Sequence, residues 1–389
     1  MSLRIEKKSL FFLLLMIILC EPQFFSYNYY LDLIFKILKI LVYIYTIYLI
    51  VWKYKFMLSS TFRWLLLYEG MLFISTICNG LTPYYWLMYG MNFISVALFV
   101  ELEMHRSKEK TLKTIVVVFS VFLVINMLTR IFDWSVVVNR TPFYFLGLRT
   151  RVTDTVFVVL IAIALLTVNR KKILSTLFVI CILIASVLVC NVSTGILGLL
   201  LFFTLFIIIK FNLFRRIMKN WKTLTAILAI AIVGVVVFRI QRYFEPIFML
   251  LFNKGADMSS RTFIWDSSIE VFLESGKSIL LGHGVSDLGE WVPFGGRMFQ
   301  AHDQYLQVLL DGGILAMIPF MGMLMNIIRL CTKNYRNIAG KLGICFCLTY
   351  GVIMITEIYS YYPQFYLAFF ILSSYEYLDI KSKKERELA

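Results

Sequence analysis

The stretch RIQRYFEPIFMLLFNKGADMSSRTFIWDSSIEVFLESGKSILLGHGVSDLGEWVPFGGRMFQAHDQ, Arg239 to Gln304, is the one long polar interruption in an otherwise almost continuously apolar chain. Hydrophobic residues make up 60% of the 389, and charged residues only 16%. Mean hydropathy is +0.82. A water-soluble domain of this size needs far more polar surface, so the composition predicts an all-α polytopic membrane protein. Apolar runs of about 17–25 residues are long enough to cross a bilayer as helices, whereas the short alternating segments of a lipid-facing barrel are missing. About twelve spans are expected, at 9–28, 31–51, 64–80, 85–103, 114–132, 152–168, 173–190, 194–210, 223–239, 304–328, 342–358 and 364–380. The chain then divides into transmembrane helices 1–9 (residues 1–239), a loop with an amphipathic helix (240–303), and transmembrane helices 10–12 with a tail (304–389). Leu10–Cys20 follows Arg4, Lys7 and Lys8 as a signal peptide would, but no small-residue cleavage site comes after it, so an uncleaved first span is expected.

Charge orients these spans. Alternate loops hold 26 of the 38 basic residues, from Arg4, Lys7 and Lys8 at one end to Lys381, Lys383, Lys384 and Arg386 at the other. The positive-inside rule makes that side cytoplasmic, with both termini inside, and places the 240–303 loop outside the membrane. The net charge of +15 is therefore an orientation signal, and nucleic acid is not an expected partner. Lys36 and Lys39 fall within the second span, where Asp32 stands one turn before Lys36 and is placed to pair with it.

The remaining ten basic residues are Arg130, Arg140, Arg149, Arg151, Arg239, Arg242, Lys254, Arg261, Lys277 and Arg297, concentrated in two outer loops at about 133–151 and 240–303. Eight of the ten are arginine. Arginine carries a permanent charge on a planar fork that matches phosphate, so an anionic substrate is expected. Within the long loop, Ser259 or Ser260 is placed to cap a helix on which Trp265, Ile269 and Phe272 share a face. Arg261 would occupy its first turn, where backbone N–H groups already favour an anion. Gly282, Gly284 and Gly289 punctuate a tight connection that contains His283. His302, with Asp303 and Gln304 beside it, opens the next membrane helix, and an imidazole there is a ready general base or phosphate ligand.

Other chemistries lack their signatures. The chain has no G-x-x-x-x-G-K-[ST] loop for nucleotide phosphates and no G-x-S-x-G elbow for a serine nucleophile. It has no D-x-D pair or His/carboxylate cluster with metal-ligand spacing, and the seven cysteines match no zinc or iron–sulfur pattern. No metal or other cofactor is expected.

The run SSRTFIWDSSIEVFLES…LLGHGV…AHDQYLQVLLDGGILA resembles the signature of the O-antigen ligase/polymerase superfamily, most like the Wzy-type polymerases of capsule and O-antigen repeat units. Arg261 and Trp265 match its Arg-x-x-x-x-Trp helix, Gly282 and Gly284 its Leu-Gly-x-Gly turn, and His302, Tyr305 and Leu306 its His-Asn-x-x-Leu segment. The chain departs from the pattern in having Asp303 where asparagine is usual, and Ser193-Thr194-Gly195 lacks the arginine of a Ser-Arg-Thr-Gly-like element. The resemblance implies a GT-C-like fold with one large extracytoplasmic loop, in a bacterial plasma membrane. It implies glycan donors and acceptors carried on undecaprenyl diphosphate, and inverting, metal-independent transfer. Arg261 and either Arg149 or Arg151 would grip the diphosphate, and His302 would serve as base. Arg242, Arg297, His283, Trp265 and Asp303 complete the expected substrate-binding set. A flippase and a chain-length regulator are implied as partners, along with membrane lipids. Two other readings share these features, a ligase that uses a lipid or protein acceptor and a flippase for lipid-linked oligosaccharides. A transporter would be expected to carry its charge along a path within the helices.

Overall fold

The computed structural model describes residues 7–54, 58–138, 141–168, 173–211, 213–252, 255, 261–287 and 289–388. The protein is an all-α polytopic membrane protein. The first three helices are α1 (Lys7–Leu19), α2 (Tyr29–Tyr48) and α3 (Ser60–Cys78). A 48-residue helix, α4 (Tyr84–Ile131), follows. Next come α5 (Val152–Thr167), α6 (Ile173–Cys190), α7 (Ser193–Lys210), the short α8 (Arg215–Met218) and α9 (Trp221–Val236). The loop contributes α10 (Glu245–Phe252), α11 (Arg261–Leu273) and α12 (Gly276–Leu281), and α13 (Gln304–Lys333), α14 (Ile338–Ile353) and α15 (Pro363–Leu388) complete the chain. Two small antiparallel hairpins, β1–β2 (Val136–Val138, Thr141–Phe143) and β3–β4 (Val292–Phe294, Arg297–Phe299), lie in the two loops that carry the arginines.

Two expected spans, 85–103 and 114–132, are joined in α4, which is broken only at Ser107 (φ −160°, ψ 93°). Near its ends, the Tyr89 hydroxyl donates to Asp287 O at 3.0 Å and the Asn126 side chain accepts from Leu146 N at 2.9 Å, both in the loop layer. Beside the break, Lys108 reaches Tyr375 in the last helix. The helix therefore crosses the bundle, turns at the basic end and returns. The first helix is shorter than the expected 9–28, because Pro22 follows its end and a 3-10 turn takes over at Gln23–Tyr27. Lys36 does pair with Asp32 (2.7 Å), and Lys39 reaches back to Glu21 (2.8 Å).

Packing is graded from the centre outward. Helices α5 and α15 are almost wholly buried along their apolar lengths, from Val156 to Leu165 and from Phe365 to Leu372. The outer faces of α2, α6 and α9 instead present Ile37, Ile44, Phe178, Leu188 and Ile230. Such continuous apolar exposure is what a hydrocarbon environment requires of a helix surface.

The loop is fastened to this bundle at an interruption in α13. Gly313 takes φ +64° and ψ −164°, which breaks the helical ladder and frees nearby carbonyls. His283 N donates to Leu310 O at 2.6 Å and Gly284 N to Asp311 O at 2.9 Å. The Ser75 hydroxyl in α3 bonds to Leu281 O and, at 2.8 Å, to Asp311 O. The fit leaves no room for a side chain, since a Cβ on Gly282 (φ +67°) would lie 2.6 Å from Leu310 O and from Gly312 N. Gly313→Ala should cost on the order of 1–3 kcal/mol from backbone strain alone. A lower thermal unfolding midpoint in detergent and faster tryptic nicking of the loop would register it, whereas an unchanged midpoint would show that the two backbones can part freely.

Candidate active site

Three residues at the start of α13 set the geometry of the site. Asp303 is the N-cap, and its Oδ1 accepts from Leu306 N at 2.8 Å, satisfying a donor that helix geometry otherwise leaves open. The preceding His302 is turned into left-handed backbone (φ +51°). Ala301 N donates to Gln307 Oε1 at 2.9 Å, fixing the approach to that turn.

The same helix end holds the turn between α14 and α15. Gln304 N donates to Met354 O at 2.8 Å, and its Oε1 accepts from Tyr359 N (2.8 Å) and Ser360 N (2.7 Å). This clamp brings Glu357 to the loop end of the bundle. There the Glu357 carboxylate lies between two guanidinium groups. Arg261 Nη2, in the first turn of α11, is 3.0 Å from Oε2, and Arg151 Nη2, at the start of α5, is 3.9 Å from Oε1. Arg151 also reaches Asp154 (3.4 Å) and Ile358 O (3.3 Å), and lies 3.4 Å from the Tyr362 ring centroid. Arg151 and Glu357 are buried, and Arg261 retains partial exposure.

His302 feels this cluster directly. Burial holds its imidazole below the ordinary value of 6.5, Glu357 pulls the other way, and Arg261 and Arg151 reinforce the burial. Its Nδ1 is buried without a partner among the described residues. Burial pushes the Asp303 carboxyl up to about 7, against the lowering effect of the Leu306 and Tyr305 backbone N–H groups. At neutral pH Asp303 is therefore divided between its charged and neutral forms while it caps the helix, unlike the always neutral asparagine that is usual at this motif position.

The other anticipated residues are placed elsewhere. Arg149, Arg242 and Arg297 are exposed. Of the two alternatives Arg149 and Arg151, only Arg151 meets Glu357. Trp265 is fully buried, with the Arg239 guanidinium 5.2 Å from its ring, so it braces the loop from inside and presents no surface to a glycan. Arg239 also bonds to Thr262 O (3.1 Å) and to Asp266, which secures the first turns of α11. His283 stacks on Trp291 with ring centroids 5.6 Å apart, and Trp291 donates to Asp311 at 3.0 Å. That second cluster anchors the loop. Ser259, Ser260, Arg140 and Lys254 lie outside the described residues.

Residues 178–321 match the O-antigen ligase family model. The match supports the O-antigen ligase/polymerase superfamily for this chain. No curated protein matches it. The matched segment contains Arg261 and His302, whereas Arg151 and Glu357 lie outside it and are brought in by the fold. Sequence reasoning missed Glu357, which fell inside the expected span 342–358. A carboxylate in an apolar segment is itself a signal of function or pairing.

Asp303→Asn keeps an N-cap acceptor and should leave the unfolding midpoint near wild type. Asp303→Ala should cost about 1 kcal/mol. Thermal unfolding of the purified protein distinguishes them, and an equally large loss in both variants would show that the charge matters more than the cap.

Proposed function

We propose that this protein transfers glycan from a polyprenyl diphosphate carrier to a sugar hydroxyl, joining repeat units into a surface polysaccharide at the outer leaflet. The observation that carries the reading is the meeting of Arg151 and Arg261 on one carboxylate, within electrostatic reach of a largely buried His302. Two arginines drawn together in a water-poor site suit a diphosphate better than any neutral ligand. Arg261, partly exposed at the first turn of α11, is the one an incoming anion meets first.

In the reaction, an acceptor hydroxyl oxygen bonds to C1 of the donor sugar while the C1–O bond to the diphosphate breaks, inverting the anomeric carbon. The hydroxyl proton passes to His302, and the negative charge that develops on the leaving diphosphate is taken up by the two guanidinium groups. Neutral His302 is the form that this role needs, and its lowered proton affinity supplies it at neutral pH. The exposed Arg149, Arg242 and Arg297 are suited to the outer phosphate or to acidic sugars, and the neighbouring outer surface to the glycan itself. The ligase reading differs only in the acceptor. It is favoured by the description of the matched family, whereas the Wzy-like motif favours polymerisation. A flippase and a chain-length regulator would act beside a polymerase.

Deleting the gene and resolving surface polysaccharide and lipid-linked glycans on a gel tests this. The expected result is loss of the polymer ladder with single repeats left on carrier lipid. Wild type should restore the ladder, while Arg261→Ala and His302→Ala should lose about 10²–10³ in rate. A complete polymer left on carrier lipid would make the protein a ligase, and rescue by both variants would sink the assigned roles.

The pH profile gives a second check. An imidazole whose folded value lies below 6.5 stays neutral down to that pH, so transfer should be flat from pH 8 to about 6.5 and fall only below it. The measurement is cleanest in Asp303→Asn, which removes a group titrating at about 7. A limb above 6.5 in that variant would remove His302 as the base.

A further inference from the structure

The diphosphate reading leaves one residue unexplained. Glu357 places a carboxylate against the very arginines that a diphosphate would need, and a fixed negative charge there opposes an anionic ligand. Removing it is no simple remedy, because two guanidinium groups left without a counter-charge in a buried setting are themselves costly. Asp154 offsets Arg151 alone. Among the described residues, only Glu357 is shared by both arginines.

Where each carboxylate stands on the backbone separates their roles. Asp154 lies within α5, fixed three residues after Arg151. Glu357 lies between Ile353 and Pro363, in the non-helical connection from α14 to α15. That connection is pinned on one side of Glu357 by Gln304 N to Met354 O, and on the other by Ile358 O, Tyr359 N and Ser360 N. The backbone is therefore held, and any movement of the carboxylate off the arginines would be by rotation about the side chain's own bonds.

From this arrangement we infer that Glu357 is a positioning residue that occupies the diphosphate seat in the empty protein, yields it to the substrate, and returns to help expel the diphosphate product. The inference rests on the proposed function, since it needs a diphosphate at Arg151 and Arg261. The carboxylate holds both forks ready between turnovers, so they need no reorganisation when the substrate arrives. By competing for the same donors it also weakens every diphosphate ligand, product included. In such a site the carboxylate trades tight binding for release. The consequence is a split in kinetic constants that a merely structural residue would not produce.

The experiment uses the detergent-purified full-length protein with inorganic pyrophosphate as probe, followed by calorimetric titration. Glu357→Gln keeps the shape and removes the charge, so pyrophosphate should bind about tenfold tighter than to wild type. With lipid-linked donor, the same variant should show a lower KM, a lower kcat and stronger inhibition by pyrophosphate. Glu357→Asp retains the charge on a shorter arm that reaches the arginines less well, and should bind pyrophosphate with an affinity between the other two. That variant carries the test if Glu357→Gln fails to fold. Binding to the folded variants that is no tighter than to wild type would overturn the inference, leaving Glu357 as an orienting group that never competes. Arg261→Ala keeps the two ideas apart. If it binds pyrophosphate as wild type does, the diphosphate reading itself falls. If it loses binding while Glu357→Gln gains none, only the seat-holding role is lost.

Discussion

A broken helix sets the position of everything at the loop end. Where α13 is interrupted at Gly313, the carbonyls of Leu310 and Asp311 accept from His283 N and Gly284 N, so the loop and the bundle share one set of backbone hydrogen bonds. A buried backbone group without a partner is costly, which makes this docking close to obligatory once the helix is broken. The side-chain lattice around it points the same way. Gln307 Nε2, with two N–H groups, lies 2.9 Å from each of Gly289 O, Asp311 Oδ1 and Tyr361 Oη, and Tyr361 donates to Asp311 Oδ2 at 2.5 Å. Because Gln307 also accepts from Ala301 N, the lattice that seats the middle of the loop orients its end, where His302 stands.

On that scaffold the site is an exercise in charge balance. Two guanidinium groups and two carboxylates are gathered in a largely buried region, and an imidazole of lowered proton affinity lies within their field. Such a cluster is stable only while each charge has a partner. A ligand that brings its own negative charge to this cluster would have to rearrange the existing pairs.

The all-α membrane class was legible from hydrophobic run length, because crossing a bilayer requires long apolar helices, and five of the described helices are long and apolar enough to do so. The basic segment between the expected spans 85–103 and 114–132 holds the break in α4 at Ser107. The motif residues Arg261, Gly282, Gly284 and His302 were legible because each has a local reason for its type, such as a helix first turn or a positive φ. Glu357 was not, because Met354–Tyr362 is apolar and aromatic enough to extend an expected span, and only the true end of α14 at Ile353 reveals a loop. The β3–β4 hairpin was not read from the sequence, because pairing depends on strand partners that spacing alone does not specify. Trp265 stands at a motif position, but its complete burial and the Arg239 guanidinium over its ring are tertiary contacts that no linear pattern encodes.

The turn that supplies Glu357 is also the last part of the site to be made. Arg151 is synthesised early, and 207 positions separate it from Ile358, whose carbonyl it reaches in the finished fold. During membrane insertion Arg151 has Asp154 beside it from the start, while Arg261 must wait for its carboxylate until α14 has been laid down. The charge cluster thus closes only when nearly the whole chain has entered the bilayer. Ribosome output, rather than ligand, first decides when this site is electrically complete.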